Sequence, residues 1–116
     1  MLPEKNRLRK KKDFEEIFKN SKSFKEGFLV LRARKNNFKT SRFGFIVSLK
    51  VSKKATVRNK VKRRLREAVK KYIEDGPYSK NKNKKSVDAI LIALPGSEKI
   101  KFSDLKETVV KIFENV

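Results

Sequence analysis

Hydrophobic positions along the chain fall into short clusters whose spacing changes from helical to alternating and back. From Asp13 to Asn20, Phe14, Ile17 and Phe18 recur at helical spacing, which predicts a short helix with Asp13 as N-cap and Glu16 completing a capping-box-like pair. Gly27 to Arg34 alternates instead. Leu29, Leu31 and Ala33 share one face of a predicted strand, while Phe28, Val30, Arg32 and Arg34 share the other. Lys35 to Ser41 reads as a turn into a second strand, Arg42 to Leu49, and the two are expected to pair as an antiparallel hairpin. Ser23-Phe24 could add a short edge strand.

The second half repeats the change of period. After a basic loop, Lys50 to Ala55, Thr56 is the expected N-cap of the longest helix, Val57 to Ile73, which Asp75-Gly76-Pro77 stops. Tyr78 to Ser86 is rich in Lys and Asn without periodicity and reads as an exposed basic loop. Val87 to Leu94 is almost continuously apolar, as in a strand buried on both faces, and Pro95-Gly96 ends it. Ser103 then caps a last helix whose apolar face is Leu105, Val109, Ile112, Phe113 and Val116. The order is α-β-β-α-β-α in a single α+β domain over residues 1–116, with 1–11 as a basic lead-in.

Composition narrows the chemistry. There is no Cys and no His, which excludes disulfides, thiolate or zinc sites and His-based general bases. Lys and Arg number 33 against 13 acids, a formal charge of +20, so the chain needs a polyanion. Nucleic acid fits best, because each phosphate neutralised by Lys or Arg releases condensed counterions. An anionic membrane surface is the weaker candidate. No apolar run approaches the roughly 18 residues that span a bilayer, and Met1 to Lys12 carries no apolar signal segment, so a soluble cytoplasmic product is expected. Nine Phe and the dense Val, Ile and Leu clusters argue for a folded domain rather than a basic disordered tail.

On the long helix the charge is sorted. At about 100° per residue, Val57, Val61, Leu65, Ala68, Val69 and Tyr72 form a core stripe. Arg58, Asn59, Lys62, Arg63, Arg66 and Lys70 fall on the adjacent sector, and Lys60, Arg64, Glu67 and Lys71 on the remaining side. Arg58, Lys62, Arg66 and Lys70 repeat at i,i+4 with no acid among them, although like charges at that spacing weaken a helix. A solvated face would mix in acids; a sorted one fits phosphate, with Asn59 able to bond a sugar or base edge. Ser52, Lys53 and Lys54 extend this anion site to the helix N-terminus. A second surface combines Phe14, Phe18, Phe28, Val30 and Arg32, where aromatics in a basic groove could stack single-stranded bases; the alternative for the two helical Phe residues is the core. The acids are scattered, so neither catalytic nor metal-binding residues are assigned.

The stretch Lys54 to Glu67, with the strand Arg42-Phe43-Gly44-Phe45-Ile46-Val47-Ser48 before it, resembles the protein component of bacterial ribonuclease P. That family's Arg-Asn-x-x-Lys-Arg-x-x-Arg signature is matched by Arg58, Asn59, Lys62, Arg63 and Arg66. The Asp13 to Phe18 pattern and the Asp88-led strand followed by Pro95 also fit. The resemblance implies an α/β sandwich with a mostly antiparallel sheet and a left-handed crossover through the long helix, against the usual handedness. It implies a catalytic RNA as partner, which removes the 5′ leader of precursor tRNA with metal ions held by RNA and protein assisting. Magnesium is expected for that RNA-catalysed reaction, no cofactor is assigned to the protein itself, and no small-molecule substrate is expected. The signature helix and its loop would contact that RNA. Phe14, Phe18, Phe28, Val30 and Arg32 would line a groove for the leader, with Arg32 better suited to a phosphate than to stacking. Two rivals are a ribosomal or general RNA-binding protein without a role in cleavage, and a self-sufficient basic nuclease.

Overall fold

Strand Val87–Ala93 organises the architecture, because all but one of its residues are buried and both of its faces need cover. The structure, a computed structural model, describes residues 3–36, 38–75 and 86–115. In chain order it comprises α1 (Lys11–Lys19), β1 (Lys22–Glu26), β2 (Leu29–Lys35), β3 (Arg42–Val47), α2 (Ala55–Asp75), β4 (Val87–Ala93) and α3 (Phe102–Phe113), with 3-10 turns at Glu4–Asn6 and Ser97–Lys99. The short edge strand is thus present as β1. The basic loop expected over Tyr78 to Ser86 lies outside the described residues except for Ser86, and Val116 lies outside them too.

The sheet order is β1-β2-β4-β3. β1 with β2 and β2 with β4 are antiparallel, whereas β3 and β4 are parallel and joined through α2. The antiparallel hairpin expected between β2 and β3 does not form. β4 lies between them, since β4 is the strand with two apolar faces and the interior of the sheet is the place that covers both. β3 takes the outer edge, and a parallel neighbour requires the long connection that α2 supplies.

Register sorts the side chains into two layers. Leu31, Leu91 and Phe45 lie in one cross-strand row and Ala33, Ala89 and Phe43 in the next, and they form the main core with α2 and α3. There Phe113 stacks on Tyr72 at 5.0 Å and meets Phe43 edge-on at 5.6 Å. The opposite face carries the rows Val30–Ile92–Ile46, Arg32–Ile90–Gly44 and Arg34–Asp88–Arg42. Leu8 and Ile17 pack there on Ile90, with Phe14 against them. Gly44 permits this approach: a Cβ at that position would lie 2.5 Å from Phe14 Cζ. Gly27, at φ 54°, makes the turn that starts the strand at Leu29 rather than at Gly27.

Three expected helix caps are not caps. α1 begins at Lys11 with Lys10 as N-cap, and Asp13 sits in the first turn, 3.5 Å from Arg42 Nη1. Its expected partner Glu16 reaches Arg34 at 3.4 Å instead, so both acids tie the helix to the sheet. Ala55 is already helical ahead of Thr56, and Lys101 precedes α3 where Ser103 was expected to. α2 runs to Asp75, two residues beyond Ile73.

Asp88 is fully buried. Arg42 donates to it through Nε at 2.9 Å and Nη2 at 2.8 Å, the Asn36 amide donates at 2.8 Å, and Arg34 stands at 3.8 Å. Burial pushes this carboxyl up, but the hydrogen bonds from Arg42 and Asn36 and the charges of Arg42 and Arg34 prevail and hold it below the usual range. A depressed folded-state pKa stabilises above the unfolded value of about 3.9 and ceases to do so as pH falls through the folded one. Asp88→Asn should therefore cost about 3 kcal/mol at pH 7, because it strands Arg42 against a partner without charge. Denaturant unfolding of parent and variant should show that gap closing at acid pH; a gap constant down to pH about 2.5 would contradict the assignment.

Candidate nucleic-acid interface

Helix α2 buries Val61, Leu65, Ala68, Val69 and Tyr72, as its apolar stripe requires. With that stripe inward, one flank turns toward α3, where Arg64 Nη1 donates to the Ile100 carbonyl at 3.4 Å. The other flank turns toward the outer edge of β3 and carries the sorted cations. Lys62 and Arg66 line a cleft of about 350 Å³ there, with Phe14 and Phe45 beneath them. Arg58, Lys62, Arg66 and Lys70 are half-buried, and Asn59 and Arg63 are exposed.

The loop before α2 is held in place by its own groups. Ser52 Oγ accepts the Lys54 N–H at 3.2 Å, and the Ser52 carbonyl accepts Arg58 Nη1 at 2.9 Å. This folds the loop back on the first turn, with Lys53 and Lys54 exposed beside it. The structure thus brings Ser52, Lys53, Lys54 and Arg58 together at one end of the helix and Lys62 and Arg66 into the cleft.

Arg7 and Arg9 complete that cleft, and sequence reasoning assigned them no role beyond a basic lead-in. Arg7 forms a parallel bridge with Phe43, and the Leu8 N–H donates to the Phe43 carbonyl at 2.8 Å. Asn6 is buried, its amide donating to the Ser41 carbonyl at 2.8 Å. A signal was available: Asn6 and Leu8 alternate with Arg7 and Arg9, the period of a strand with one face inward.

The residues of the second surface are partly assembled. Val30, Ile92 and Ile46 form a half-buried row on the α1 side of the sheet, Phe14 lies half-buried over Gly44, and Phe18 is 38% exposed at the last turn of α1. Arg32 belongs to the same face but is already bonded. Its Nη2 donates to the Phe18 carbonyl at 2.7 Å, its Nε to Ser21 Oγ at 3.1 Å, and its guanidinium lies 5.4 Å from the Phe18 ring centroid. It therefore fastens the end of α1 to β2. Phe28 stands apart in the β1–β2 turn with its ring against Gly96.

As chemistry, this surface presents cations, a composition suited to anions. Asp13, Glu16 and Asp88 are engaged by Arg42 and Arg34, and among the described residues no group of three or more metal-ligating side chains occurs. No helix of the described residues is long and apolar enough to cross a membrane.

Comparison with known proteins places the chain as a whole. The family model described as Ribonuclease P matches residues 2–116. A ribonuclease P protein component of Rickettsia canadensis is 37% identical over 114 residues, covering 90% of this chain and 92% of that protein. One from Clostridium botulinum is 30% identical over 109 residues, covering 94% and 92%. The structure of the RNase P protein from Thermotoga maritima superposes with a TM-score of 0.75 at 31% identity, covering 95% of this chain and 96% of that one. A match along essentially the whole chain, in sequence and in fold, places this protein in the ribonuclease P protein component family.

Proposed function

We propose that this chain is the protein subunit of a ribonuclease P ribonucleoprotein, acting with a catalytic RNA in the removal of the 5′ leader of precursor tRNA. The observation that carries the reading is the cationic cleft in which Lys62 and Arg66 of the signature helix face Arg7 and Arg9 across the edge of β3. Guanidinium groups on both walls can fork onto phosphates, and Lys62 adds a point charge. With the Ser52–Lys54 loop, Arg58, Asn59, Arg63 and Lys70, this face would bind the RNA subunit. The leader would lie along the row Val30–Ile92–Ile46 beside α1, with Phe18 offering a ring to stack on and Phe14 closing the floor. Catalysis would rest with the RNA. Magnesium would serve that RNA; among the described residues of the protein no group of three or more metal-ligating side chains occurs.

The direct experiment is precursor-tRNA cleavage by a bacterial ribonuclease P RNA at low magnesium with and without this chain. Stimulation is expected with the chain, and no cleavage by the chain alone; absence of stimulation in a complex that forms would favour a general RNA-binding role.

The cationic face makes a second expectation. Replacing Arg58, Lys62 and Arg66 together by Ala should weaken RNA binding and flatten its log–log salt dependence by up to about one unit per lost phosphate contact. An unchanged slope with the fold intact by circular dichroism would refute the assignment. The leader groove makes a third. Phe18→Leu should lower the precursor-to-mature affinity ratio by about 1–3 kcal/mol with little change in melting temperature. Phe14→Leu, which unpacks the ring from Gly44, should lower the melting temperature as well. A ratio unmoved by Phe18→Leu would remove that ring from leader recognition.

A further inference from the structure

The basic stripe of α2 ends at Lys70, but cations from other segments gather beside it. Lys70, the last cation of the i,i+4 series, lines a cavity of about 330 Å³ with Lys5 of the N-terminal turn and Lys39 of the β2–β3 connection, and Glu74 also lies on its wall. Next to Lys39 in the chain is Phe38, a large apolar side chain left 58% exposed. Its backbone is anchored: the Phe38 N–H donates to Asn36 Oδ1 at 3.1 Å, and the same Asn36 amide group donates to buried Asp88 at 2.8 Å. Its ring is backed by a cation, with the Arg42 guanidinium 4.5 Å from the ring centroid. That guanidinium is forked onto Asp88 and lies 3.5 Å from Asp13, so its charge is already matched. It serves as a floor beneath the ring rather than as a phosphate ligand.

An exposed aromatic held from below, adjacent in the chain to Lys39, which shares a cavity with Lys70 of the signature helix, has the composition of a base-stacking platform. Core packing does not account for it, because the ring lies over a charged pair and outside both apolar clusters. The leader groove does not account for it either. Arg42 and Ile46 are four residues apart on β3, about 13 Å, which sets Phe38 at the opposite end of the sheet from the row Val30–Ile92–Ile46.

We propose that Phe38 stacks one unpaired RNA base, with the flanking phosphates on Lys39, Lys5 and Lys70. This rests on the reading of the chain as an RNA-binding subunit, but not on the leader groove. The chain has no Trp, so Phe38→Trp creates a single local reporter. Titration with a short single-stranded oligoribonucleotide should quench that emission, and a blunt duplex of the same sequence should quench it far less. Adding Lys5→Ala and Lys39→Ala should raise the RNA concentration for half-quenching by about five-fold or more at low salt. Emission unchanged at saturating RNA, or quenching indifferent to the two lysines, would overturn the proposal. So would a lowered melting temperature in Phe38→Leu together with no quenching of the Phe38→Trp reporter, which would make the ring a cover for the Asp88 pair. Precursor cleavage with the catalytic RNA is read separately: quenching without stimulation would retain the platform and remove the ribonuclease P role, and stimulation without quenching would do the reverse.

Discussion

A buried carboxylate on the central strand holds one half of this molecule together. Asp88 accepts two hydrogen bonds from Arg42 of β3 and one from Asn36 beyond β2, with Arg34 of β2 beside it. The same arginines reach outward to Asp13 and Glu16 on α1. One carboxylate thus fixes the spacing of three strands at that end of the sheet and, through its two arginines, the seat of a helix. In a chain of formal charge +20, acids are scarce, and three of the 13 are gathered here. An isolated buried charge would be prohibitively costly, whereas this one is paired and bonded on both oxygens.

The distribution of the other charges follows. With acids drawn to the α1 face, the flank of α2 toward β3 is left cationic, and the N-terminal segment adds Arg7 and Arg9 to it rather than acids. β4 in the centre has the same kind of consequence. It forces β3 to the edge, and the parallel pair then requires α2 as its connection, which lays the signature helix along that edge beside the segment carrying Arg7. Strand order and charge placement together turn a row of basic residues on one helix into a cleft with two basic walls.

Much of this was legible in the sequence because it depends on local period. The α2 stripe, the alternation of Leu29, Leu31 and Ala33, the doubly apolar β4 and the apolar face of α3 all declare themselves within a few residues. What was hidden depends on partners far along the chain. The β2–β3 connection has the length and Asn content of a hairpin turn, and only competition with β4 for the interior separates those strands. Asp13 and Thr56 have the chemistry of caps, but Asp13 is claimed by Arg42 and α2 begins one residue before Thr56. Arg32 reads as a free cation, yet it is bonded to Phe18 and Ser21, and no local pattern announces that. The grouping of Phe14, Phe18, Phe28, Val30 and Arg32 follows from helical and strand period, whereas the leader as its occupant follows only from family resemblance; the structure assembles Phe14, Phe18, Val30 and Arg32 on one face and leaves Phe28 in a turn.

The proposed interface is directional: structured RNA would meet the flank of α2 that faces β3, not basic surface in general. Because the chain has no Cys, single cysteines can carry a tethered iron chelate without background. Thr56 is exposed at the margin of the sorted sector and Glu107 is exposed on α3. Hydroxyl-radical cleavage of a bound ribonuclease P RNA from Thr56→Cys and from Glu107→Cys compares the two sides of the protein in one complex. Discrete cuts are expected from position 56 and none of comparable strength from position 107. Equal cutting from both, or cutting from 107 alone, would contradict the proposed interface.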